Sequence, residues 1–140
     1  MESRTPSIID LGAELAKLTM FRGRTPQSTM ADRKGSGAGL ASYRDGALFT
    51  TKFAGKGHWE SHLTGDELIH ILDGTATLEI VREDGPQSFA LRAGMIAVIP
   101  QGAWHRLHSS GATEMTATPF PGEHIELDVD DPRTVERKPA

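Results

Sequence analysis

Between residues 40 and 129 the chain is cut by Gly, Pro and Asp into short β-prone runs, and this close spacing constrains the fold more than any other feature. The runs are 41–44, 47–53, 58–63, 67–72, 76–82, 88–91, 95–99, 104–108, 113–118 and 124–128, which predicts about ten strands in an all-β sandwich or barrel. No second helix of any length fits among them. Leu72-Asp73-Gly74-Thr75 and Glu83-Asp84-Gly85-Pro86 carry the Asp-Gly chemistry of tight hairpin turns. The run 95–99 is apolar throughout and ends at Pro100, which predicts a strand buried on both faces and stopped abruptly.

Outside this region the patterning changes. Residues 1–39 read as a lead-in, a short helix capped by Asp10 with Leu11, Leu15 and Leu18 on one side, and a Gly-, Ser- and Pro-rich loop over 22–39. Residues 130–140 read as a mixed-charge tail. At 140 residues the chain is of one-domain size, so one site is expected. A net charge of -4 with scattered basic residues argues against nucleic acid as a partner. The lack of any cysteine excludes thiolate metal sites and thiol nucleophiles, so a metal would have to be held by His and carboxylate. With no long apolar run and no apolar signal core at the N-terminus, the expectation is a soluble, cytoplasmic protein with no membrane partner.

Glu60 and His62 stand two apart in a predicted strand, so they share a face. Glu67 follows the turn-like Thr64-Gly65-Asp66, and His105 opens a later strand after Pro100-Gln101-Gly102. Two imidazoles and two carboxylates suit one divalent ion of manganese, iron, nickel or zinc better than calcium. Spacing alone leaves other readings open: Glu60 as an exposed carboxylate on a strand edge, His62 and His105 as satisfied core histidines. Glu67 would be costly to bury without a cation or donor beside it.

These residues carry a resemblance to the cupin family, whose motifs are G-(x)5-H-x-H-(x)4-E-(x)6-G and G-(x)5-P-x-G-(x)2-H-(x)3-N. Gly94, Pro100, Gly102 and His105 keep every spacing of the second motif, and His62, Glu67 and Gly74 those of the first. The motifs span residues 54–109, about 40% of the chain. The resemblance implies a cupin double-stranded β-helix, a jelly-roll barrel with a short N-terminal helix in front, holding a metal or ligand in its mouth. It implies Glu60, His62, Glu67 and His105 as metal ligands, and a homodimer by family habit. Three positions depart from the pattern: Glu60 replaces a histidine, Ala54 the opening glycine and Ser109 the closing asparagine. Of the three, only Glu60 falls at a position the resemblance implies as a metal ligand, where a carboxylate favours harder ions.

His58 shares the face of Glu60, yet lies about 13 Å from His62 at the strand rise, so it reads as a pocket-wall residue. Ser109 is the other polar candidate for the pocket. Trp59, His70, Trp104, Arg106 and His108 alternate to the opposite faces; Trp59 reads as packing, and Arg106 and Arg92 as solvated surface. Nothing in the sequence ties His124 to the site. The functional expectation is a metal-dependent enzyme, dioxygenase-like or isomerase-like, on a small organic substrate; the alternative is a non-catalytic module that binds or senses a small ligand or metal.

Overall fold

The computed structural model describes residues 5–135, so the first four residues of the lead-in and 136–140 of the tail lie outside the described residues. Helix α1 (Leu11–Ala16) is capped as expected, the Asp10 carboxylate accepting from the Ala13 amide at 3.0 Å. Nine strands follow: β1 (Phe21–Arg24), β2 (Gly37–Tyr43), β3 (Gly46–Lys56), β4 (Trp59–His62), β5 (Glu67–Arg82), β6 (Gly85–Arg92), β7 (Ile96–Ile99), β8 (His105–Pro119) and β9 (Gly122–Ile125). A single turn of 3-10 helix at Pro132–Thr134 closes the described chain. No helix among the described residues is long and apolar enough to cross a membrane.

Two long strands organise the sheet. β5 and β8 pair antiparallel over their length; β3 and β4 flank β8, β6 and β7 flank β5, and β2 and β9 extend the flanks. The predicted runs 67–72 and 76–82 are therefore one strand, and 104–108 and 113–118 another. Asp73-Gly74 makes no hairpin turn; it bends β5 where the register with β8 shifts. Gly74 has φ +77°, and a Cβ there would lie 2.1 Å from the Gly111 carbonyl oxygen, so the strands cross too closely for any side chain. Across this bend the inward phase of β5 switches from Ile69 and Ile71 to Ala76, Leu78 and Ile80. β8 switches likewise, from His105 and Leu107 to Ala112, Glu114 and Thr116. The folded-over sheet closes around a core of Phe53, Ile69, Ile71, Leu78, Ile80 and Ile99. The second Asp-Gly signal does form a hairpin, with Arg82 opposite Gly85.

Three further expectations fail for identifiable reasons. β7 is not buried on both faces: Ile96 and Val98 are 57% and 61% exposed, because only its Ile99 side meets the core. The predicted loop 22–39 contains β1, which runs parallel to β3. Gly55, at φ +121°, makes this possible, since a Cβ there would sit 2.2 Å from the Arg24 carbonyl oxygen. Arg106 is not solvated surface but 3% exposed, its charge covered by Glu79, by Asp128 at 3.0 Å and by the Trp59 ring at 4.4 Å.

The bend gives a stability prediction. Gly94 also has positive φ, +90°, but open space at its Cβ, so Gly94→Ala should cost only the left-handed strain of about 1–2 kcal/mol. Gly74→Ala adds a backbone collision and should cost clearly more in urea unfolding. Equal losses would contradict the close crossing.

Candidate metal centre

The cluster is assembled by loops that are tied to one another. The turn after β4 and the turn before β8 are joined by three hydrogen bonds: Gly102 amide to His62 carbonyl at 2.8 Å, Gln101 amide to Asp66 carboxylate at 2.8 Å, and Gln101 side chain to Leu63 carbonyl at 2.7 Å. Gly102 takes φ +80° to make that turn. These bonds set His105, the first residue of β8, directly opposite Glu60. Glu67 opens β5 beside them.

As a result Glu60, His62, Glu67 and His105 each offer a donor atom within 4.8 Å of the other three. His105 Nε2 lies 2.8 Å from Glu67 Oε1 and 3.4 Å from Glu60 Oε1, and His62 Nε2 lies 3.2 Å from Glu67 Oε2 and 3.7 Å from Glu60 Oε1. An ion about 2.0–2.2 Å from each donor would space neighbouring donors by about 3 Å, so the donor separations fit a divalent ion. His62 provides a second indication: its buried Nε2 has no hydrogen-bond partner among the described residues. The surrounding contacts orient the donors. His105 Nδ1 faces the Ala103 carbonyl at 3.0 Å, which directs the lone pair of Nε2 at the cluster, and Thr118 donates to Glu67 Oε2 at 2.7 Å. Gly122 leaves room for the His62 ring, since a Cβ there would lie 3.1 Å from Nδ1.

The electrostatics match this arrangement. Burial alone would raise the Glu60 and Glu67 pKa values, but the facing histidines outweigh it and hold both below the usual carboxylate range. Burial alone would lower those of His62 and His105, but the two carboxylates raise them to about 9 and about 10. The carboxylates thus favour the protonated form of both imidazoles in the metal-free state.

His58 lies beside the cluster, its Nε2 3.4 Å from Glu60 Oε2, and lines the adjoining cavity of about 750 Å³. His124, which the sequence tied to nothing, stacks on His58 with ring centroids 4.8 Å apart. Ser109 is not among the cavity-lining residues: its hydroxyl donates to the Thr75 carbonyl and accepts from the Gly111 amide at 2.8 Å, pinning the bend in β8. Trp59 is fully buried on the opposite face of β4, its Nε1 donating to the Val129 carbonyl at 2.7 Å.

Arg24, Glu114 and Thr118 are among the cavity residues that the sequence reading did not find. Arg24 sits on the unrecognised β1. Glu114 and Thr118 lie on β8 beyond the phase switch. Their signal is the polar alternation Glu114, Thr116, Thr118 along one strand face. The Glu114 carboxyl is 9% exposed, Oε2 has no partner among the described residues, and burial, with repulsion from Glu67, pushes its pKa up to about 8.

The raised imidazole values predict the pH dependence of metal uptake. Each proton must leave before its nitrogen can coordinate, so affinity for manganese or zinc should climb by more than about tenfold per pH unit between pH 7 and 9. The imidazole contribution to metal-free stability runs the other way. It is complete below the ordinary value of 6.5 and lost as pH rises through about 9 and 10. Calorimetric titration across this window checks the first trend, and a flat affinity would contradict it.

Comparison with known proteins agrees with this architecture. The family model described as "Cupin domain" matches residues 48–119, just over half of the chain. No curated protein matches. Among solved structures, a cupin-2 domain containing protein from Shewanella frigidimarina NCIMB 400 is 23% identical at a TM-score of 0.59, over 81% of this chain and 96% of that one. Hydroquinone 1,2-dioxygenase from Sphingomonas sp. TTNP3, with 4-hydroxybenzoate bound, is 17% identical at 0.51, over 59% of this chain and 64% of that one. The Lactobacillus farciminis oxalate decarboxylase formate complex is 14% identical at 0.51, over 56% of this chain and 26% of that one. At these identities the likeness is one of fold. The family match, the bent nine-stranded sheet and the spacing of Gly74, Gly94, Pro100, Gly102 and His105 agree, and the chain belongs to the cupin family.

Proposed function

We propose that the protein is a metal-dependent enzyme acting on a small organic substrate, with one divalent ion of iron, manganese, nickel or zinc held by Glu60, His62, Glu67 and His105. The observation that carries this reading is the convergence of the four donors beside a cavity large enough for a small molecule. Two imidazoles and two carboxylates leave up to two positions of an octahedral ion open to substrate. When bound, the ion supplies Lewis-acid or redox chemistry to a substrate oxygen.

The chain's own residues supply the rest. Thr118 and the Ala103 carbonyl fix two of the donors, and His58 stands beside Glu60 at the cavity wall. Glu114, its pKa pushed up to about 8 and its buried Oε2 without a partner among the described residues, lies inside the same cavity, where its carboxyl can exchange a proton with a substrate atom. A module that only stores or senses a ligand has no need of such a group, which favours turnover over simple binding. A dioxygenase-like reaction ranks ahead of an isomerase-like one, since a mixed His and carboxylate set suits iron(II), and a dioxygenase stands among the structural neighbours. A homodimer accompanies this reading, with the exposed Ile96 and Val98 of β7 as apolar surface a second copy would cover.

Metal uptake separates the roles of the carboxyls. Protein purified without chelator should carry about one ion per chain. Glu67→Gln and His105→Ala should each weaken binding by about 100-fold, Glu60→Gln by about tenfold, and Glu114→Gln not at all. A Glu60→Gln protein with unchanged affinity would reduce the site to three ligands. Turnover is tested by oxygen uptake with small phenols and enols, comparing the native protein with His105→Ala. Equal rates in the two would overturn the enzymatic reading.

A further inference from the structure

The cavity carries positive charge that the metal centre does not use. Arg24 enters it from β1, and Arg33 and Lys34 from the loop 25–36. Arg106 has its counter-ions in Glu79 and Asp128. Arg24 and Arg33 differ: neither guanidinium forms an ion pair with a carboxylate among the described residues. Arg24 packs over the Phe53 ring at 5.4 Å, and its guanidinium lies against Gly57, where a Cβ would come within 3.5 Å of it. Arg33 donates to the weak acceptor Met30 Sδ at 3.2 Å, while its buried Nε has no partner among the described residues. Burial and then the nearby charge of Arg33 lower the Arg24 pKa, while the nearby Glu114 and Glu60 raise it.

The carboxyls lining this cavity are Glu60, Glu67 and Glu114. The first two face His62 and His105 at 2.8–3.7 Å and belong to the metal centre. Glu114 forms no ion pair among the described residues. Even when ionised it offsets only one of the two guanidinium charges. With Lys34 also at the wall, Arg24 and Arg33 therefore leave unpaired positive charge in the cavity, and their planar forks suit a bidentate carboxylate.

We infer that Arg24 and Arg33 form an anion-recognition subsite, and that the ligand of this cavity is a small organic carboxylate. The inference rests on the cavity being the ligand site proposed above, but it does not depend on the metal.

The test is calorimetric titration of metal-loaded protein with matched pairs of equal shape, benzoate against benzamide and acetate against acetamide. At least one carboxylate should bind about tenfold or more tightly than its amide. In Arg24→Gln, and in the Arg24→Gln Arg33→Gln double variant, that preference should fall by about tenfold or more with metal content unchanged, while Arg24→Lys should retain part of it. Absence of any carboxylate preference in the native protein would overturn the subsite. So would a preference that survives the double variant but vanishes with the metal, since the carboxylate would then sit on the ion. A preference that persists in protein unable to take up metal, and still depends on Arg24, would sustain the subsite while removing the metal-based function.

Discussion

Two carboxylates and two imidazoles packed at the edge of a core must be charge-balanced, and much of the cavity follows from how that is met. Glu67 is 3% exposed and His105 1%, so neither can rely on water. Each carboxylate facing a histidine can be neutralised by a proton on the ring or by sharing a dication with it. The cluster is therefore one in which two protons, or the divalent ion proposed above, would meet the same charge deficit.

The sheet provides the means of holding such a cluster. β5 and β8 are each long enough to contribute to two regions of the barrel, and the crossing of Gly74 over the Gly111 carbonyl folds the pair on itself. The phase switch there lets His105 and Glu114 both point inward although nine residues separate them, an odd interval that would place them on opposite faces of a regular strand. Ser109, standing where the family pattern has asparagine, serves this bend with its hydroxyl and is absent from the cavity wall.

The same feature explains what could be read in the sequence. Period-two alternation within a short run placed Glu60 with His62 and set Trp59 on the other side, and the motif spacing joined His105 to them. Those are local relations, and the family motifs had already encoded the long-range one. Glu114 was hidden because its phase is counted across a bulge that alternation does not reveal. Arg24 was hidden because β1 is four residues long, interrupted by Gly23, and stabilised by docking on β3 at Gly55 instead of by its own pattern. The Asp73-Gly74 misreading has the same origin: a glycine at positive φ serves a hairpin or a bend equally well, and the partner strand decides between them. Arg106 looked like surface because nothing local announces that Trp59 and Asp128 will cover it.

The central claim is that the four donors share one ion. Its most direct test is diffraction from crystals of manganese-loaded protein at an energy where manganese scatters anomalously. A single anomalous peak is expected about 2.0–2.3 Å from a carboxylate oxygen of Glu60 and Glu67 and from Nε2 of His62 and His105. A peak elsewhere in the cavity, or none at full loading, would contradict it.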